Sequence, residues 1–210
     1  NEGMNALLPA LILLAPLAAP AQKTPKPETP KFWVRPGYEV SVAAEVPRAR
    51  LMEVGADGTI YVSRPNPGDI VALRDKNRDG FYETQETFVA GKPTVHGLAW
   101  DDGWLWYTLS GAVWKARDTN GDGKADEDVA VIASGLPSGG GHWWRPIAVT
   151  ADALYTGIGD ASNFSDPGDT ERQQIFRFNK DGSGKTLWSG GVRNSEKLRV
   201  RPGTDELWGR

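Results

Sequence analysis

From residue 38 onward, apolar and polar positions alternate in short runs, each closed by a turn of Gly, Asp or Asn, with no convincing helical period. "LMEV-GADG-TIYVSR" (51–64) reads as a strand, a tight turn and a second strand. "LAW-DDG-WLWYTL" (98–109), "IAV-TAD-ALYTGI" (147–158) and "LRVR-PGTD-ELWG" (198–209) repeat it. A third strand follows each of the first three hairpins, at 69–75, 112–118 and 174–180. Polar turns then lead to fourth strands in "TQETFVAG", "DVAVIASG" and "KTLWSGG".

A four-stranded meander recurring at roughly 45–50 residues predicts the blades of a β-propeller rather than a solenoid, whose units are usually shorter or helical. The fold expected is therefore all-β. Blades run over about 51–90, 98–134 and 147–189, a further one starts at 198–210, and "YEVSVAAEV" (38–46) serves as the outer, closing strand of the last blade. Both ends read as internal to a longer chain, and an arc of three blades with two open edges is expected to be inactive alone.

Composition agrees with a turn-rich β protein: 210 residues carry 25 Gly, 15 Pro and 9 Trp. The absence of Cys excludes disulfides, thiol catalysis and Cys-ligated zinc, and a net charge of −3 without a basic stripe gives no nucleic-acid footprint. Residues 1–21, with an apolar run ending in Ala19-Pro20-Ala21, predict a signal peptide and hence a periplasmic or secreted protein. That run is short and Pro-containing for a membrane span, so none is expected after processing. Residues 22–37 form a Pro/Lys-rich linker.

In a meander, successive turns fall at alternate ends of the sheet. The blade connections carrying His96, His142, and Arg193 with Asn194 should therefore share one face with the long 159–173 loop and its Asp160 and Asn163. The third-to-fourth-strand turns face the other way. There "DKNRDGFYETQE" (75–86) fits a calcium-loop template, with Asp75, Asn77, Asp79 and Glu86 as ligands and Gly80 at the sharp turn. "DTNGDGKADEDV" (118–129) repeats it with Asp118, Asn120, Asp122 and Asp126, but Val129 replaces the last acid. These eight residues are expected to hold structural calcium, with metal-free Asx turns as the alternative.

"GHWWRPIAVTADALYTGIGDASN" followed by "GGVRNSEKLRVRPGTDELWG" resembles the first half of the glucose/sorbosone dehydrogenase family, exported six-bladed propellers that use pyrroloquinoline quinone (PQQ) and Ca²⁺. The resemblance implies His142 as catalytic base, Arg193 and Asn194 as quinone-binding residues, a sugar-type substrate, and a periplasmic electron acceptor such as a cytochrome. The chemistry suits these residues. An imidazole titrates near working pH and can take a hydroxyl proton as hydride leaves carbon. A guanidinium matches a carboxylate or a developing oxyanion.

Asp160 is placed with the cofactor residues, with two alternatives: orienting His142 or ordering its own loop through Asx turns. His96 is expected in loop packing or a pocket wall. Trp143 and Trp144 suit stacking on a sugar or the quinone, or the core between blades. Arg145 is open between an anion contact and a solvated position. The "WW" after His142 and the "NSEK" after Arg193 resemble the sorbosone branch more than the glucose-oxidising members. A non-catalytic propeller binding a glycan or protein partner is the competing class. A propeller lactone hydrolase would need several acids on the inner strands, which offer only Glu53.

Overall fold

The computed structural model describes residues 26–29, 31–166, 168 and 170–210. The signal-peptide segment lies outside the described residues, and so does part of the linker.

The first sheet is β1 (Leu51–Val54), β2 (Ile60–Arg64), β3 (Asp69–Arg74) and β4 (Thr84–Val89), paired antiparallel in chain order. The second is β5 (Leu98–Asp101), β6 (Trp104–Leu109), β7 (Ala112–Arg117) and β8 (Glu127–Ile132). The third is β9 (Ile147–Val149), β10 (Ala153–Ile158), β11 (Gln174–Asn179) and β12 (Thr186–Gly190). A hairpin of β13 (Leu198–Val200) and β14 (Leu207–Gly209) opens a fourth. Among the described residues there is no helix, and none that could cross a membrane.

The repeat extends to its irregularities. The register shifts between Ile70 and Val71, between Val113 and Trp114, and between Ile175 and Phe176. Each is the step from second to third residue of a third strand, and such a bulge increases the local twist of the outer pair.

The sheets pack face to face. Tyr61, Ile70, Ala72 and Phe88 of the first meet Leu98, Leu105, Tyr107 and Ala116 of the second. Ala99, Trp106 and Val113 of the second meet Ile147, Leu154 and Phe178 of the third, and Ala148, Tyr155 and Ile175 meet Leu198. First strands lie beside first strands, β1 by β5, β5 by β9 and β9 by β13, so they form the inner wall. This is the all-β blade architecture of a propeller.

On that wall Glu53 is 7% exposed and accepts from Lys197 Nζ at 3.1 Å and Arg199 Nη1 at 2.7 Å. Lys197 also donates to Leu98 O at 3.2 Å, so one ion cluster joins β1, β5 and β13. Burial, the largest influence on Lys197, lowers its pKa against the opposing pull of Glu53.

Residues 38–46 do not form a strand. Ala44 and Val46 cover the outward face of the first sheet at Val62, Val71 and Leu73, and Tyr82 N donates to Ala43 O at 2.7 Å.

Candidate functional site

Three segments far apart in sequence are laced together by backbone hydrogen bonds. His142 N donates to Asp160 O at 2.9 Å, Gly159 N to His142 O at 3.1 Å, and Asp160 N to Arg193 O at 2.7 Å. The connection after β8, the end of β10 and the connection after β12 thereby form one rigid junction.

On it, Arg193 Nη1 lies 2.9 Å from His142 Nε2. A guanidinium only donates, so Nε2 is the acceptor and the ring proton resides on Nδ1. Asn194 is beside them, with its Oδ1 buried and without a hydrogen-bond donor. Arg193 and Asn194 also line an open cleft with Leu51, Glu196, Lys197 and Arg210. The structure thus brings together His142, Asp160, Arg193 and Asn194.

The glycines before His142 have specific geometric tasks. Gly139 and Gly140 take left-handed φ values of 65° and 78°. A Cβ on Gly141 would lie 2.6 Å from Ala161 O. Only a chain without side chains can turn and press so closely against the 159–161 segment.

Asp160 is 1% exposed, and its carboxylate is occupied by its own loop. It accepts from Ser162 N at 3.0 Å, Ser165 N at 3.0 Å, the Ser165 hydroxyl, and Gln173 Nε2 at 2.9 Å. Those bonds, the Ser165 hydroxyl first, hold its carboxyl below the usual range. The side chain makes no hydrogen bond to His142; its bonds order its own loop.

Arg145 is neither an anion contact nor solvated. It is 2% exposed and donates to Ser110 O at 3.0 Å, Gly157 O at 3.1 Å and Pro137 O at 2.6 Å. Burial, and then the charge of Arg172, pulls it down to about 9. Arg172 itself, in the 159–173 loop, was not singled out from sequence. It is 8% exposed and bonds to Gly159 O, Ser138 O and Gly139 O. An Arg in a polar loop carries no local signal that distinguishes burial from solvation.

Trp143 and Trp144 stack at 3.9 Å, and Trp144 stacks on His96 at 4.8 Å, with Arg50 Cζ 5.1 Å from the Trp144 ring centroid. His96 is 1% exposed, and its Nδ1 faces Arg145 O at 3.2 Å. Because a carbonyl only accepts, Nδ1 carries the proton and buried Nε2 has no partner. Burial lowers the His96 pKa to about 4.

The calcium-like loops do not gather the expected ligands. Glu86 lies within β4, paired across the ladder with Ala72, and forms an ion pair with Arg74 at 3.2 Å. Asp75 receives Asp79 N and Gly80 N, Asn77 receives Asp79 N, and Asp79 receives Phe81 N. In the second loop Asp118 receives Asn120 N, Gly121 N and Gly123 N, and Asp126 receives Thr119 N and Asn120 Nδ2. Asn120 Oδ1 accepts from Asp122 N, and Asp122 Oδ1 accepts from Lys124 N. Among the described residues no group of three or more acidic or His side chains is arranged to hold a metal. In both loops the Asp and Asn side chains cap backbone N–H groups as Asx turns.

The chain matches, over residues 24–197, the family described as a domain of unknown function (DUF7133), and it belongs to that family. No curated protein matches it. Among solved structures it is similar to the calcium structure of a Trichoderma reesei carbohydrate-active enzyme of family AA12, with 17% identity over 77% of this chain and 45% of that one, TM-score 0.67. It is similar to the holo form of the PQQ domain of pyranose dehydrogenase from Coprinopsis cinerea, with 15% identity over 72% and 41%, TM-score 0.63. It is also similar to the PQQ-bound aldose sugar dehydrogenase of Streptomyces coelicolor, with 20% identity over 80% and 57%, TM-score 0.57. The chain spans about half the length of these proteins, and at such identities the likeness is one of fold.

Proposed function

We infer that this chain belongs to an exported quinoprotein dehydrogenase that oxidises a sugar, sugar alcohol or sugar aldehyde. The observation that carries the reading is the 2.9 Å contact between His142 Nε2 and Arg193 Nη1, in a fold shared with proteins that bind PQQ.

The residues suit that cofactor. Arg193 offers a planar pair of donors to a carboxylate or quinone oxygen, and Asn194 Oδ1 is a buried acceptor without a donor. Bound there, PQQ would supply the acceptor for the hydride leaving the substrate carbon, its electrons passing on to a periplasmic acceptor. His142 takes the hydroxyl proton on Nε2, the nitrogen that the Arg193 contact keeps unprotonated. Arg193 releases that nitrogen as its guanidinium engages an anionic group. Trp143 and Trp144, stacked on each other directly after His142 in the chain, are the aromatic rings we assign to stacking on the sugar or quinone.

The test is dye reduction by the full-length protein with added PQQ and Ca²⁺, across aldoses, polyols and sugar aldehydes. Loss of PQQ-dependent turnover by about 10²–10⁴ in His142→Ala is the expected result for a missing general base. Unchanged turnover would remove His142 from the mechanism. Failure to bind PQQ would move the protein to the class of propellers that bind a glycan or protein partner.

A further inference from the structure

We propose that Arg172 is the positioning residue of this site: its guanidinium holds the glycine turn that aims His142. The proposal rests on the reading of His142 as the base.

Within the 138–142 turn, Gly139, Gly140 and Gly141 have no side chains with which to fix the backbone. Three consecutive residues are glycine, and two of them have left-handed φ values, a conformation that costs glycine little and leaves it free to change. Arg172 fixes it from outside. Nη2 donates to Ser138 O at 2.9 Å and also to Gly139 O, while Nη1 donates to Gly159 O at 3.0 Å. The guanidinium lies against Gly140, where a Cβ would come within 3.0 Å of Nη2 and 3.2 Å of Cζ.

Gly159 is the key link. Its carbonyl accepts from Arg172, and its N–H donates to His142 O at 3.1 Å. One planar cation therefore ties the start of the turn to the end of β10, which is itself hydrogen-bonded to His142. The hydrogen bonds described for Arg172 all go to backbone carbonyls, so its role here is geometric rather than that of an ion pair. An ammonium cannot reproduce this, because it is a compact charge without a planar fork reaching carbonyls on two segments. A base displaced by about 1 Å can lose on the order of a hundredfold in rate, so a loosened turn should affect the chemical step more than binding.

The experiment uses the full-length protein with Arg172→Met and Arg172→Lys. Amide hydrogen exchange is followed without cofactor, and kcat and KM for dye reduction with PQQ. Arg172→Met is expected to speed exchange at Gly141 and His142 about tenfold or more while β3 and β6 keep their protection. It should also lower kcat about ten- to a hundredfold with little change in KM. Arg172→Lys should not rescue either readout. If Arg172→Met loosens the sheets as well, Arg172→Lys, which keeps the charge, decides. Unchanged protection of the turn, a loosened turn with unchanged kcat, or full rescue by Lys would each overturn the proposal. The exchange readout requires no turnover, so it stays informative even if His142→Ala refutes the dehydrogenase reading.

Discussion

Arg193 and His142 are 51 residues apart in sequence, yet their Nη1 and Nε2 atoms lie 2.9 Å apart. Gly159 makes the meeting possible. A Cβ there would stand 2.7 Å from His142 Cβ, 2.8 Å from Arg193 O and 2.8 Å from Asn194 Oδ1.

Gly159→Ala should therefore push His142 and Arg193 apart. Overpacking of this kind costs about 1–3 kcal/mol, measurable in urea unfolding. PQQ affinity should fall as well. Gly190→Ala is the control, since nothing lies within 4 Å of a Cβ there. Equal stability of the two variants would contradict the account.

His96 should make stability depend on pH. Its pKa is about 4 in the fold and 6.5 ordinarily, so between those values the unfolded chain binds a proton that the fold refuses. The stabilisation is fully present above about pH 6.5 and is lost as pH falls toward 4, reaching up to about 3 kcal/mol. His96→Gln should remove this part of the slope. Parallel pH profiles for the two proteins would show that His96 does not titrate in this way.

Glu53→Gln should be more costly than a surface substitution. It leaves the largely buried Lys197 without its carboxylate, a loss of about 2 kcal/mol, since the exposed Arg199 is screened by solvent and adds little. Glu206→Gln removes the exposed pair with Arg201 and should cost less than about 1 kcal/mol. Thermal midpoints of the two variants test the ranking, and similar values would refute it.

Asp118→Ala removes acceptors from three backbone N–H groups of its turn. The expected loss is about 1–2 kcal/mol, the same in calcium as in chelator, because the carboxylate caps backbone. A destabilisation seen only in the presence of calcium would restore a metal role to this loop.

The sequence by itself determined the blades. Alternation with a period of two places one side of each strand inward, and Gly, Asp and Asn turns limit the strands to short lengths. The meander and its repeat follow from local rules. The sorting of loops to two ends was legible for the same reason, because each strand reverses the chain. His142, Arg193, Asn194 and Asp160 were picked out that way, with the family resemblance supplying their roles.

Tertiary structure decided the rest. Nothing in the local sequence marks Arg145 or Arg172 as buried, but carbonyls from separate segments bury them. Asp160 turned inward to its own loop because Ser162, Ser165 and Gln173 offered nearby donors. Glu86 left the calcium template because strand register placed it opposite Ala72, within reach of Arg74. In each case the local pattern was satisfied in more than one way, and the choice depended on polar groups supplied by distant parts of the chain.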